Sequence, residues 1–209
     1  MNEFNKYKET KGPINQEYFQ TFVNPNDAVY RQLVKSGDGV ERDDDNPFAP
    51  ILIGDIESRE ADFAFLKNCL KNETLVDLGS GMGHFGQFAK ESLGVAHYFG
   101  VDKFIKFRPQ KIEDPVIHHV GDDMLLYCSR IPDNSVNFVI NGIDNTIIKN
   151  REYADYLLQE VLRATKQDGI IFGENTFNKT LVLNRLGRLP NQLVQIISKD
   201  QVFPIFQKK

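Results

Sequence analysis

The sequence has few cysteines, no basic excess and no long apolar run. Its two cysteines, Cys69 and Cys128, stand in no C-x-x-C or other metal-ligand spacing, which indicates two ordinary thiols and no disulfide framework. The formal net charge of -4 argues against a generally basic nucleic-acid binder. No apolar run approaches the ~20 residues that cross a bilayer, and the N-terminus lacks the apolar core of a secretion signal. We therefore expect a cytoplasmic protein without membrane or nucleic-acid partners.

The length and composition fit one α/β domain with a short extension. The 209 residues are 41% hydrophobic and 26% charged, which is ordinary for a globular protein. Residues 1–50 are polar and rich in turn residues, and we expect them to form an N-terminal arm, while residues 51–209 form the domain. The arm either covers a ligand site as a lid or is held to the domain surface, and both interpretations rest on its aromatic residues, which are Tyr7, Tyr18, Phe19, Phe22 and Tyr30.

From residue 58 onward, short apolar runs alternate with helical patterns. The predicted strands are TLVDL, AHYFGVD, PVIHHVG, SVNFVIN and IIFGE. Between the last two lies the clearest amphipathic helix, at residues 150–169, with Gly169 at its end. Two final segments, NQLVQIISKD and QVFPIFQKK, are predicted to pair as a hairpin. This pattern predicts a doubly wound, mostly parallel seven-stranded sheet with a C-terminal antiparallel hairpin strand, whose ligands bind at the carboxyl ends of the strands.

A glycine-rich turn follows the first predicted strand, and two kinds of ligand compete for it. Residues 81–86 (GMGHFG) fit the dinucleotide pattern G-x-G-x-x-G, whereas residues 77–83 (DLGSGMG) show an acid followed by three alternating glycines. No Lys or Arg lies between Thr74 and Gln87, and like charges ~4 Å apart in an effective dielectric of ~20 repel by about 4 kcal/mol. We therefore expect Asp77 to disfavour a pyrophosphate and to favour a cationic ligand such as S-adenosylmethionine.

The stretch VDLGSGMGHF resembles the first motif of the class I S-adenosylmethionine-dependent methyltransferases. The resemblance implies that the backbone of the turn approaches the methionine part and the ribose of the cofactor. It also implies that Asp77 helps to orient the turn and the amino end of the ligand. Further motifs follow in the order that this family has, so the resemblance covers roughly Thr74 to Glu174.

The later motifs extend the resemblance to the ribose and the adenine. Asp102 ends the second predicted strand, where a carboxylate can accept hydrogen bonds from both ribose hydroxyls. The run GDDM implies that Asp122 meets the adenine amino group, that the next backbone N–H meets a ring nitrogen, and that Met124 lies against the adenine face. The implied cofactor-binding residues are Asp77, Gly79, Ser80, Gly81, Gly83, Asp102, Lys103, Asp122, Asp123, Met124 and Asn141.

Two positions depart from the family pattern. Asn137 stands where the family usually has an aspartate that supports the fold. Residues 141–144 (NGID) are not the N/D-P-P-Y/F signature of amino methylation on DNA bases or glutamine, which argues against those substrates.

The acceptor side of the site is harder to predict, because methyl transfer from a sulfonium needs alignment and exclusion of water more than it needs protein chemistry. Asp144 is the candidate catalytic residue, and its alternative role is a helix cap. Weaker candidates are Asn145, Glu174, His84 and Tyr30. His118 and His119 cannot chelate one metal ion together, because adjacent residues of a strand point to opposite faces.

The sequence thus predicts an S-adenosylmethionine-dependent methyltransferase with a small-molecule or protein acceptor and no metal site. Three alternatives remain open. They are a cofactor-binding module without methyl transfer, an aminopropyltransferase, and a dinucleotide reductase, which Asp77 disfavours.

Overall fold

The computed structural model describes residues 48–81, 83–102, 114–120, 122–141, 151–173, 186–187, 194–198 and 203–209. Within these ranges the elements are α1 (Phe48–Glu57), α2 (Glu60–Leu70), β1 (Thr74–Leu78), α3 (Phe85–Phe88), β2 (His97–Val101), β3 (Ile117–Val120), α4 (Met124–Arg130), β4 (Asn137–Ile140), α5 (Arg151–Ala164), β5 (Ile170–Gly173), β6 (Val194–Ser198) and β7 (Ile205–Lys208). Helix α3 continues as a π-helical turn, Ala89–Leu93.

Seven strands form one sheet in the order β3-β2-β1-β4-β5-β7-β6. The first five are parallel to one another, and β7 runs antiparallel to both β5 and β6. The predicted fold, a doubly wound and mostly parallel sheet with a C-terminal antiparallel hairpin strand, is therefore confirmed. The strand order reverses between β1 and β4, and a ligand crevice is expected outside the carboxyl ends of the strands at this point.

Two apolar layers cover the sheet, because its central strands carry apolar side chains on both faces. One layer joins Val76 and Leu78 of β1 to α4 and α5. The other joins Leu75 of β1 to helices α1, α2 and α3. All of β4 and β5 is buried, so the carboxyl end of the sheet is held rigidly from both sides.

Asn137, at the start of β4, supports the sheet and is fully buried. Its side-chain oxygen accepts from the backbone N–H of Ile170 at 2.9 Å, and its side-chain nitrogen donates to the carbonyl of Thr74 at 3.4 Å. The amide thus ties β4 to β1 and β5 at the amino ends of the strands, at the opposite end of β4 from its carboxyl end. The replacement of the family's usual aspartate by Asn137 therefore concerns the support of the sheet.

The end of one predicted helix changes in the structure. Helix α5 ends at Ala164, five residues before Gly169, because Thr165 instead forms a parallel bridge with Val136. The expected arm, residues 1–50, lies outside the described residues except for its last three, which begin α1. Among the residues that the structure describes, no helix combines the length and the apolar character that a membrane span requires.

Candidate functional site

The glycine turn after β1 depends on backbone conformations that favour glycine. Gly79, Gly81 and Gly83 have φ values of 77°, 55° and 76°, in the left-handed region where a Cβ is strained. The N–H groups of Gly79 and Ser80 donate to the carbonyl of Val101 at 2.9 and 3.3 Å, and the Gly83 N–H donates to the carbonyl of Ser80 at 2.9 Å. The turn is therefore fixed against the end of β2 before any ligand is considered.

Asp102 connects the end of β2 to the same turn. Its Oδ2 accepts a hydrogen bond from the backbone N–H of Gly81 at 3.1 Å. Its own backbone N–H donates to the carbonyl of Val120 on β3 at 3.0 Å. The carboxylate predicted to meet a ribose thus lies within hydrogen-bond distance of the turn predicted to hold the rest of the ligand.

Asp77 lies beneath the turn and is fully buried. The hydroxyl of Tyr98, on the neighbouring strand β2, donates to its Oδ2 at 2.5 Å, whereas its Oδ1 has no hydrogen-bond partner among the residues that the structure describes. Burial is the largest influence on this carboxyl and raises its pKa to about 8, against an opposing effect of the Tyr98 hydrogen bond. Desolvation therefore favours the neutral acid in the ligand-free protein, and the preference of this site for a cationic ligand stays a prediction.

The ring of Tyr98 has room to reach Asp77 because two glycines lie against one of its edges. A Cβ on Gly86 would lie 2.9 Å from Cε1 of Tyr98, and a Cβ on Gly100 would lie 3.1 Å from the same atom. Gly86 is the third glycine of the G-x-G-x-x-G pattern, so in this chain its small size accommodates Tyr98. Gly86 therefore serves the close packing of α3 on the sheet.

The two adjacent histidines of β3 serve different faces of the sheet, as expected. His118 stacks on Phe99 with ring centroids 4.8 Å apart. His119 packs on the glycine turn, where a Cβ on Gly83 would lie 2.1 Å from its Cε1. Burial, together with the charge of His118, lowers the pKa of His119, so a neutral imidazole covers the turn.

The acidic residues after β3 are held by the chain itself. Asp122 accepts from the backbone N–H of Asp123 at 2.8 Å and pairs with Arg130 at 2.8 Å. Asp123 caps α4, accepting from the N–H groups of Leu125 at 2.9 Å and Leu126 at 3.2 Å. The N–H that the family pattern assigns to an adenine nitrogen therefore has an internal partner here.

Two neighbours complete this part of the site. Tyr153 of α5 donates to both carboxylate oxygens of Asp123 at 3.1 Å, which secures the start of α4. Met124 is 6% exposed and packs in the apolar layer beside α5. Contacts from Asp122, Asp123 and Met124 to an adenine stay predictions.

Asn141 is the first residue after β4, and its backbone N–H donates to the carbonyl of Leu78 at 3.0 Å. The side chain is fully buried, and in the described part of the chain neither of its polar atoms has a hydrogen-bond partner. It stands at the reversal of strand order, where β1 and β4 are neighbours. An amide with free hydrogen-bonding capacity at this point is well placed for a ligand, since buried polar groups normally have partners.

Several predicted site residues lie outside the described residues. They are Tyr30, Lys103, Asp144, Asn145 and Glu174. His84 is described, is exposed and precedes α3, where its side chain makes no capping hydrogen bond. The structure thus brings together Asp77, the turn and Asp102, while the acceptor side stays a prediction.

Sequence reasoning missed Tyr98 and the packing role of His119. Tyr98 is 21 residues from Asp77 along the chain, so no local motif connects them. The available signal was indirect: glycines at 86 and 100 leave space beside a strand that contains a tyrosine.

No protein-family model matches this chain, and no curated protein matches it in sequence. Solved structures do match. A candidate methyltransferase from Streptococcus mutans in complex with S-adenosylhomocysteine has 12% identity and a TM-score of 0.51, covering 72% of this chain and 97% of that chain. A candidate methyltransferase from Escherichia coli has 13% identity and a TM-score of 0.50, covering 73% and 86%.

A phosphoethanolamine N-methyltransferase from Haemonchus contortus, in complex with phosphomonomethylethanolamine and S-adenosylhomocysteine, matches at 21% identity with a TM-score of 0.42. That match covers 55% of this chain and only 27% of the nematode protein. At these identities the likeness establishes the fold, which is the Rossmann-like fold of S-adenosylmethionine-dependent methyltransferases.

Proposed function

We propose that this chain is an S-adenosylmethionine-dependent methyltransferase that acts on a small-molecule or protein acceptor. One observation carries the proposal. At the reversal of strand order, the Asp102 carboxylate and a turn of three left-handed glycines are joined by the 3.1 Å bond from Gly81. The fold and the family motif in the sequence support the same conclusion.

The residues present fit this cofactor. Among the described residues, a buried carboxyl oxygen of Asp77 and the buried amide of Asn141 have no hydrogen-bond partner, so each has capacity for a ligand. Asp102 would receive the ribose hydroxyls, and Asp122 the adenine amino group. Asp77 would face the amino end of the ligand. Lys103 and Met124 complete the proposed set with the turn residues Gly79, Ser80, Gly81 and Gly83.

Bound cofactor would supply a methyl group already activated on a sulfonium. The protein's task is then to orient the acceptor and exclude water. The buried carboxyl ends of β1 and β4 provide a dry, rigid floor for such a site. We propose that Asp144, which follows β4, contacts the acceptor.

A dinucleotide is the less favoured ligand. Residues 77–83 match the first motif of the methyltransferase family and later motifs follow in order, whereas the G-x-G-x-x-G match of residues 81–86 is a single short pattern. The two cysteines are free thiols, which supports a cytoplasmic location for the enzyme.

The test is calorimetric titration with S-adenosylhomocysteine, and with NADH as a comparison. We expect saturable binding of S-adenosylhomocysteine in the micromolar range and none of NADH. Absence of S-adenosylhomocysteine binding at millimolar concentration by a folded sample would refute the proposal. Transfer of labelled methyl groups to a panel of small molecules and proteins then separates an enzyme from a module that only binds the cofactor.

A further inference from the structure

Asp77 and Tyr98 form a buried acid–phenol pair directly beneath the glycine turn. The hydroxyl donates to Oδ2 at 2.5 Å, and no described residue supplies a hydrogen-bond partner for Oδ1. Both side chains are fully buried. One oxygen of the carboxyl is thus fixed in place by the sheet, while the other keeps its full hydrogen-bonding capacity.

The surroundings of the carboxyl are apolar or acidic. Its register partners are Gly100 on β2 and Val139 on β4, and the α3 side of the sheet contributes apolar residues such as Phe85. The titratable groups that act on it are Tyr98 of β2 and Asp102, which directly follows β2. Burial and the Asp102 charge raise its pKa to about 8, so the ligand-free carboxyl is neutral at pH 7.

We propose that Tyr98 is a positioning residue that holds the Asp77 carboxyl as the docking group for the ammonium of the ligand, and that this carboxyl releases its proton when the ammonium binds. The inference rests on the proposed function. The O–H bond of the acid breaks, the proton passes to solvent, and the resulting carboxylate pairs with the ammonium. The net charge of the pocket then stays balanced, since one positive group enters as one proton leaves.

The proton release has two measurable consequences. At pH 6.5, well below the value of about 8, close to one proton should leave for each ligand bound. Affinity should rise about tenfold for each pH unit between 6 and 7.5, because binding linked to the release of one proton has that slope. A ligand without an ammonium group should show neither effect.

The experiment is calorimetry at pH 6.5 in two buffers of different ionisation enthalpy, with S-adenosylhomocysteine and with 5′-methylthioadenosine, which lacks the amino-acid part. We expect the S-adenosylhomocysteine enthalpy to change with the buffer by close to one ionisation enthalpy. We expect the methylthioadenosine enthalpy to be the same in both buffers. The comparison isolates the ammonium end of the ligand from the nucleoside end.

Variants separate positioning from folding. Tyr98→Phe should weaken S-adenosylhomocysteine roughly tenfold or more, because the bound carboxylate loses a charged hydrogen bond, and should leave methylthioadenosine unchanged. Asp77→Asn should abolish the proton release and flatten the pH dependence. Tyr156→Phe is the matched control, because it removes a buried tyrosine hydroxyl from the opposite layer and should change neither ligand.

The possible outcomes distinguish failure of this inference from failure of the proposed function. Wild-type protein that binds S-adenosylhomocysteine with a buffer-independent enthalpy overturns this inference and leaves the proposed function standing. An equal loss of both ligands in Tyr98→Phe overturns the positioning role. Failure of folded wild-type protein to bind S-adenosylhomocysteine overturns the proposed function and this inference with it.

Discussion

Asp77 shows how strongly the environment of a side chain can change its pKa. From the sequence it reads as a charged acid beside a turn, but in the structure it is enclosed by apolar residues and a tyrosine. Because its pKa is raised, the contribution of Asp77 to folding stability depends on pH. The neutral form is favoured in the folded chain, so this group stabilises folding at low pH and that stability is lost as the pH rises towards about 8.

Asp77→Asn should therefore stabilise the protein in a pH-dependent manner. Near pH 4 the variant and the wild type should unfold at similar urea concentrations, because asparagine resembles the neutral acid. At pH 8.5 the variant should be more stable by the order of a few kcal/mol, because one pKa unit corresponds to about 1.4 kcal/mol. A stability difference that does not change with pH would contradict the assigned ionisation.

Gly86→Ala should displace Tyr98. The new Cβ would lie 2.9 Å from Cε1 of that ring, so we expect a loss of about 1–3 kcal/mol in unfolding free energy and weaker S-adenosylhomocysteine binding. Gly54→Ala is the control, since a Cβ there meets nothing within 4 Å. In the interior of α1 it should stabilise by up to about 1 kcal/mol. Equal effects of the two substitutions would argue against the packing role of Gly86.

The strands and helices determine where the residues predicted to contact the ligand lie. Turn and strand ends meet at Asp102, and the start of α4 is capped by Asp123. The order of the elements was predictable, because apolar runs and turn residues alternate along the chain. The partners of side chains at the strand ends were not, since they depend on the register between strands, such as Tyr98 with Ile117 and Asp77 with Gly100.

Asp102→Ala should weaken S-adenosylhomocysteine binding by roughly 10–100-fold, because the two proposed hydrogen bonds to the ribose and the bond from Gly81 would be lost. Calorimetry measures this loss, and thermal unfolding shows whether the fold persists. Asp102→Asn keeps one oxygen acceptor, so its affinity for S-adenosylhomocysteine should lie between those of the wild type and Asp102→Ala. Unchanged affinity in Asp102→Ala would exclude this carboxylate from the ligand site.

Asp123→Ala should act chiefly on stability. Loss of the cap to Leu125 and Leu126 should cost about 1–2 kcal/mol in urea unfolding, and Asp123→Ser should restore much of it, since serine is also a good N-cap. Affinity for S-adenosylhomocysteine should change little in the serine variant. A large loss of affinity in that variant at full stability would instead assign the carboxylate to the ligand.

The complete fold follows from features spread over the whole sequence. The five parallel strands and the terminal hairpin were recognisable from their apolar runs and turns, and the sheet confirms them. The backbone arrangement around the proposed site was predictable where glycine spacing and strand ends determine it, as at Gly81 and Asp102. The site was not predictable where burial decides, as for the charge of Asp77, because burial is a property of the assembled layers.

The most direct measurement is hydrogen–deuterium exchange of the full chain with and without S-adenosylhomocysteine. We expect the ligand to slow exchange in the peptide that contains the glycine turn, residues 79–86, and in the peptide that ends β2 at Asp102. NADH at the same concentration should leave both unchanged. Slowed exchange with NADH, or an S-adenosylhomocysteine effect confined to peptides remote from the turn, would contradict the account.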